Sequence, residues 1–213
     1  MIKLLHTADL HISELEREYS LQVLHEIVTI ASKEQVDAVL LAGDIFNDFN
    51  SFSKMKLDLE RAFKGINSRV LYIAGNHESL KKGKGEIDSQ GFSKIEFFYE
   101  EDLSFVKNIL LKKVDTTVEI IPVPFQKQAT GFEKLKLPAK NCPRIAMLHG
   151  SVPEILSFTG ISEEEDDSLI DFTAITSNGI DYAALGHIHA GQEHKYAGVV
   201  CSYPGSPRVW RRG

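Results

Sequence analysis

This chain of 213 residues holds few staples, no spans and no basic excess. Its two cysteines, Cys142 and Cys201, make neither a disulfide framework nor a metal-type spacing, which suits a reducing compartment. No apolar run approaches the ~20 residues that a membrane-spanning helix needs. The first strand begins at residue 2 or 3, without an apolar stretch behind a basic start, so no secretory signal is expected. The expected setting is cytoplasmic, with no membrane partner. Lys and Arg number 24 against 30 Asp and Glu, for a net charge of −6. That balance does not advertise a nucleic-acid binder, because phosphate-backbone affinity rests on Lys and Arg. Internal repeats are missing too. What is present is ordinary for a globular fold: 43% hydrophobic and 25% charged residues, enough for a substantial core in one large α/β domain or one domain with a small appendage.

Residues 37–42 and 69–74 are short apolar runs rich in β-branched residues, stopping at Gly43-Asp44 and Gly75-Asn76. Such runs, without polar alternation, read as strands buried on both faces. Between them lie helical patterns. Over 14–33, Leu15, Tyr19, Val23, Ile27 and Ala31 line one face; over 54–66, Leu59, Phe63 and Ile66 do so, with Ser51 or Ser53 as the expected N-cap. The first 75 residues thus read β-α-β-α-β, with right-handed crossovers and a parallel sheet. Ligands of such sheets bind beyond the carboxyl ends of the strands. Asp9, Asp44, Asn76 and His77 all fall there, and the two glycines allow a sharp exit.

The second half repeats the logic. Residues 144–149 form a strand ending in His149, and 182–185 run into Gly186-His187-Ile188-His189. On extended chain, i and i+2 point the same way, so Asp9/His11 and His187/His189 are expected as same-side pairs. Residues 103–111 and 117–123 read as further strands of a second sheet, 125–141 as a loop with room for one short helix, and 168–178 as a helix. Each polar residue also has a plain reading. Asp or Asn after a strand-end Gly is usually a turn former, and His149 alone could be a core histidine. His6 reads as a core histidine, while His25 and His194 read as solvated. It is the joint occurrence of ligand-type residues at five strand ends that points to metal chemistry.

Five segments also carry a resemblance. Leu5-His6-Thr7-Ala8-Asp9-Leu10-His11, Ala42-Gly43-Asp44-Ile45-Phe46, Ala74-Gly75-Asn76-His77-Glu78, Ala184-Leu185-Gly186-His187-Ile188-His189 and Pro204-Gly205-Ser206-Pro207 look like the calcineurin-like metallophosphoesterases, most of all the SbcD-type exonuclease subunits of DNA repair. The likeness spans residue 3 to about 207. It implies an α/β fold, a four-layer αββα sandwich, and a single nuclease domain over 1–213. It further implies that Asp9, His11, Asp44 and His189 hold one divalent ion, and that Asp44 bridges to a second held by Asn76, His149 and His187. A hydroxide between the ions would attack phosphorus in line, with His77 assisting the leaving oxygen. Imidazole and oxygen ligands without thiolate suit Mn²⁺, with Fe or Zn as alternatives.

Candidate substrate contacts are Asn47, Phe49, Lys82, Lys84 and Arg208. Lys82 and Lys84 lie in the basic loop after His77, while Phe49, with Phe46 and Phe52, follows Asp44 and either packs under the following helix, the preferred reading, or stacks on a base. Against a polyanion stands the acidic run Glu163–Asp167. The resemblance implies DNA ends and an SMC-like ATPase subunit as partners, with a homodimer as a further option. Two departures matter. Asn47 stands where several relatives carry a second histidine, and Trp210–Gly213 ends the chain where another strand is expected, as in a truncated or a minimal version. A phosphodiesterase or phosphatase acting on a small nucleotide or phosphoprotein, and a weakly active scaffold for an ATPase, are the alternative readings.

Overall fold

A computed structural model describes residues 1–78, 91–99, 105–111, 114–125, 135–156 and 169–208. Two sheets carry the architecture. In the first, β1 (Leu4–Thr7), β2 (Ala38–Ala42), β3 (Arg69–Ile73) and β4 (Ile95–Phe98) lie in sequence order, all parallel. The second contains β5 (Lys107–Leu111), β6 (Thr116–Val123), β7 (Arg144–His149), β8 (Tyr182–Gly186), β9 (Gln192–Tyr196) and β10 (Val199–Tyr203). Its order is β5-β6-β7-β8-β10-β9, parallel from β6 to β10 and antiparallel at both edges. The β-α-β-α-β start and the second sheet match expectation. The outer hairpin, β9 and β10, is an addition, because its polar strand Gln192-Glu193-His194-Lys195-Tyr196 has no apolar face to mark it.

Residue alternation explains the layers. Along β2, Val39 and Leu41 face the cluster containing Val23, Leu24 and Ile27 of α1 (Arg17–Lys33) and Met55, Leu59 and Phe63 of α2 (Phe49–Phe63). Ala38 and Leu40 face the other way, joining Leu71 and Ile73 of β3 to Ile120, Ile145, Met147 and Ala184 of the second sheet. That sheet's outer residues, among them Ile121, Ala146, Leu148, Ala183 and Leu185, pack on α3 (Pro153–Leu156) and α4 (Phe172–Ser177). The result is a four-layer αββα sandwich. Among the described residues no helix is long and apolar enough to cross a membrane.

Several local expectations shift. α2 begins at Phe49 rather than 54, because Asp48 is the N-cap: its carboxylate accepts the Ser51 N–H at 2.7 Å. Ser51 itself is buried inside the helix. Leu15, expected on the inner face of the first helix, is 94% exposed, because residues 14–16 form a 3-10 turn that leaves the α-helical phase. The helix expected over 168–178 covers Phe172–Ser177, capped by Asp171, whose carboxylate accepts the Thr173 N–H. His194 lies half-buried on β9, stacked on Tyr196, rather than in a solvated stretch.

One buried charge anchors the second sheet. The Arg144 side chain is 2% exposed and donates to Glu119 Oε2 at 2.6 Å, the Asn178 carbonyl at 2.6 Å and the Pro138 carbonyl at 2.9 Å. It thereby ties β6, β7 and the end of α4 together. Removing it leaves a carboxylate and two carbonyls short of their donor, so Arg144→Met is expected to destabilise the fold by about 3–5 kcal/mol. Urea unfolding measures this; an unchanged midpoint would show that the network adds nothing to stability.

Candidate metal centre

The parallel strands of both sheets finish at one edge. Thr7 pairs with Leu41, Ala42 with Ile73, and His149 with Gly186, so the residues that follow β1, β2, β3 and β8 emerge together beside His149. Bonds between the loops lock the edge. Asp9 N–H donates to Gly43 O and His11 N–H to Asp44 O, each at 3.0 Å. Among the bonds that cross between the sheets, His187 N–H reaches the Asp9 carboxylate at 3.0 Å, His149 Nδ1 donates to Ala42 O at 2.8 Å, and Phe125 N–H donates to Ala74 O at 3.0 Å.

The expected same-side pairs do not form on extended strand. β1 ends at Thr7, and Asp9 (φ 54°), His11 (φ 42°), Asp44 (φ 50°) and His187 (φ 97°) all take left-handed backbone. Kinks, not strand alternation, aim these side chains, and non-glycine residues keep such conformations only where their surroundings over-determine them. His187 and His189 consequently join different groups. The flanking glycines act differently as well. Gly43 is left-handed (φ 88°), and a Cβ there would lie 2.2 Å from His149 Nδ1; Gly75 matters through close approach alone, since its Cβ would lie 2.2 Å from Asp44 Oδ1.

Three overlapping groups could hold a cation: Asp9, His11 and His189; His11, Asp44 and His77; and Asp44, His149 and His187. Within each, one ligand atom per residue lies within 4.8 Å of the others. His11 Nε2 lies 3.2 Å from His189 Nε2, His149 Nε2 lies 2.9 Å from Asn76 Oδ1 and 3.3 Å from Asp44 Oδ2, and the His11 and His77 ring centres are 4.6 Å apart. All seven expected ligands and His77 therefore meet at this edge.

The electrostatics fit cations. Burial pushes the Asp9 carboxyl up to about 7, with the nearby Asp44 charge adding to the rise, and burial lowers His11 to about 4. Burial opposes charge on Asp44 and His149 too. Yet their mutual attraction holds Asp44 below the ordinary carboxylate range and lifts His149 to about 10. A proton on His149 thus supplies positive charge that a divalent cation can supply instead. The fixed Nδ1 donation of His149 to a backbone carbonyl turns Nε2 inward, the usual second contact of a metal-ligating histidine.

Glu78 closes the third sequence motif, and its role emerges only in three dimensions. It is 1% exposed, and its carboxylate accepts N–H groups from Asp44 at 3.0 Å, Phe46 at 2.7 Å and Gly75 at 2.7 Å. An acidic residue inside a Gly-Asn-His-Glu turn is a sign legible in sequence; its three backbone partners are not. Asn47 contributes its carbonyl, 2.6 Å from His77 Nδ1, while its side chain turns to Asp48.

Two other substrate candidates, Phe49 and Arg208, are engaged by the protein itself. Phe46 and Phe52 are buried, and Phe49 is half-buried and stacked on Phe52, so the aromatics pack into the core beside the first turn of α2 rather than offering a face to a base. Arg208 is turned back onto His11 O, Glu16 and the Tyr19 ring; its guanidinium is occupied by the protein itself. Lys82, Lys84 and the acidic run Glu163–Asp167 lie outside the described residues.

The sequence pattern of the family described as calcineurin-like phosphoesterase matches residues 2–191. The chain belongs to this family. Among curated relatives, it is 28% identical over 225 residues to the DNA double-strand break repair protein Mre11 of Saccharolobus solfataricus, covering 99% of this chain and 56% of that protein. It is 24% identical over 241 residues to a subunit of the nuclease SbcCD of Escherichia coli, covering 92% and 60%. The chain thus spans little more than half the length of these relatives. The phosphopantetheinyl hydrolase PptH of Mycobacterium tuberculosis shares the fold, with a TM-score of 0.60 at 12% identity, covering 96% of this chain and 90% of that one.

Glu78→Ala would leave three buried N–H groups without an acceptor, each worth about 1–3 kcal/mol before relaxation. The thermal midpoint is expected to fall by several degrees, as read by circular dichroism. A midpoint equal to wild type would show that these bonds do not hold the edge.

Proposed function

We propose that this chain is a two-metal phosphodiester hydrolase acting on DNA. The observation that carries the metal reading is the pair of His/Asp groups, Asp9-His11-His189 and Asp44-His149-His187, converging on one sheet edge with His77 beside them. Asp9, His11, Asp44 and His189 would hold one ion, and Asp44, Asn76, His149 and His187 the other. Manganese suits these imidazole and oxygen donors, and both cysteines are free and outside the groups. When bound, the ions supply charge neutralisation for a phosphodiester and make hydroxide accessible near neutral pH.

The chain's own part is orientation and proton transfer. His77 Nδ1 is anchored on Asn47 O, which leaves Nε2 facing the cluster, 3.8 Å from Asp44 Oδ2. With a side chain 37% exposed, His77 can meet a leaving oxygen and still exchange its proton with water. DNA as substrate is supported by the names of the two relatives, a DNA double-strand break repair protein and a nuclease subunit. Because one is named a subunit, an SMC-like ATPase partner in the cytoplasm belongs to the same proposal. So does the reading of residues 1–213 as one catalytic domain.

Two measurements test this. Given Mn²⁺, the protein is expected to cleave linear DNA and bis-p-nitrophenyl phosphate, with p-nitrophenyl phosphate the poorer substrate, and His77→Ala to lose about 10²–10⁴-fold in kcat. Diester cleavage without DNA cleavage would sink the nuclease reading. Separately, Asp44→Ala should lower bound Mn²⁺ from about two per chain toward zero, measured by elemental analysis after gel filtration. Two ions retained would contradict a bridging Asp44.

A further inference from the structure

The Pro204–Arg208 segment, 15 or more residues beyond the last ligand-bearing motif, reaches back over one half of the metal centre. Ser206 Oγ donates to the Asp9 carbonyl at 2.7 Å, and Ser206 N–H donates to the His189 carbonyl at 3.1 Å. Arg208 Nη1 donates to the His11 carbonyl. Arg208 is itself held in place: its N–H meets Ser206 Oγ at 3.3 Å, Nη2 pairs with Glu16, and the guanidinium lies 5.4 Å from the centre of the Tyr19 ring. Its side chain is 9% exposed, so it is a built-in part of the wall rather than a free surface cation.

All three carbonyls belong to Asp9, His11 and His189, which form one candidate metal group. Two of these residues, Asp9 and His11, are left-handed without being glycine. Such backbone needs outside support, and a carbonyl fixed by a hydrogen bond sets the peptide plane from which the side chain leaves. The second group, around Asp44 and His149, has different supports: Glu78 on the Asp44 and Gly75 amides, and Ala42 O on the His149 ring.

We infer that Pro204–Arg208 is a backbone clamp for the Asp9-His11-His189 half of the centre, with Ser206 and Arg208 as its positioning residues. Neither side chain needs to touch substrate. The clamp selects one of two neighbouring ion sites because the ligand-residue carbonyls that its donors hold, those of Asp9, His11 and His189, all belong to that group. Ser206→Ala deletes one donor without altering charge, and Arg208→Gln removes the guanidinium from the His11 carbonyl. The clamp rests on the two-metal reading proposed for the same residues.

The test is Mn²⁺ titration of the 213-residue chain by calorimetry, with electron paramagnetic resonance of the loaded samples and thermal unfolding as a folding check. Wild type is expected to bind two ions and show the spectrum of a coupled pair. In Ser206→Ala and Arg208→Gln, one site should weaken by about 10–100-fold while the other keeps its affinity, and the spectrum should become that of an isolated ion. Should Arg208→Gln fail to fold, Ser206→Ala decides alone. Two ions bound with wild-type affinity overturn the clamp, as does equal weakening of both sites, which marks a general loss of structure. A wild-type chain that binds no ion pair overturns the metal reading itself, and the clamp with it.

Discussion

Two carboxylates, Asp9 and Asp44, lie almost wholly out of solvent at the edge where the sheets meet, near enough for each to feel the other's charge. Burying like charges together is costly unless positive charge or hydrogen-bond donors surround them. The neighbourhood answers that demand in layers. Imidazoles from β7 and the loops after β1, β3 and β8 face the carboxylates; backbone amides of His77 and His187 point at them; and Glu78 gathers the amides of the Asp44 and Gly75 turns. A divalent cation pair satisfies the same demand more fully than a proton on His149 can.

That constraint also accounts for the way the sheets are joined. Ala38, Leu40 and their partners supply a dry interior between the sheets, worth about 1.5–3 kcal/mol for each large apolar side chain buried. Hydrophobic packing alone does not set the offset of one strand edge from the other. The His149–Ala42 and His187–Asp9 bonds help to do so, because each joins a second-sheet histidine to a first-sheet backbone or side chain. Structure and site are therefore coupled: a shift between the sheets would separate the two His/Asp groups.

Exposure gives the centre a direction. Asp9, Asp44 and His149 are buried, whereas the His77 and His189 side chains are 37% and 43% exposed. Among the described residues, these two rings lie on the side of the centre open to solvent. The aromatic residues after Asp44 do not line that face, because Phe46 and Phe52 are committed to the core between α1, α2 and the first sheet. Nor does Arg208, which is committed to the wall behind Asp9 and His11.

Amino-acid order alone accounts for the parallel β-α-β-α-β start, the second sheet and the identity of the clustered residues. Those depend on local periodicity and on strand ends, where apolar runs such as Ala38–Ala42 stop against Gly-Asp. It also carries the family, since five short motifs are legible without any packing. It misleads where direction depends on three-dimensional context: the N-cap falls to Asp48 rather than Ser51 or Ser53, and Asp9, His11 and His187 turn through left-handed backbone instead of strand alternation. Where Glu78, Ser206 and Arg208 bond is decided by packing alone. Their partners are backbone amides and carbonyls of remote loops, and nearly every residue type offers the same amide and carbonyl. The pairing therefore leaves no mark in the sequence until the two sheets bring those loops together.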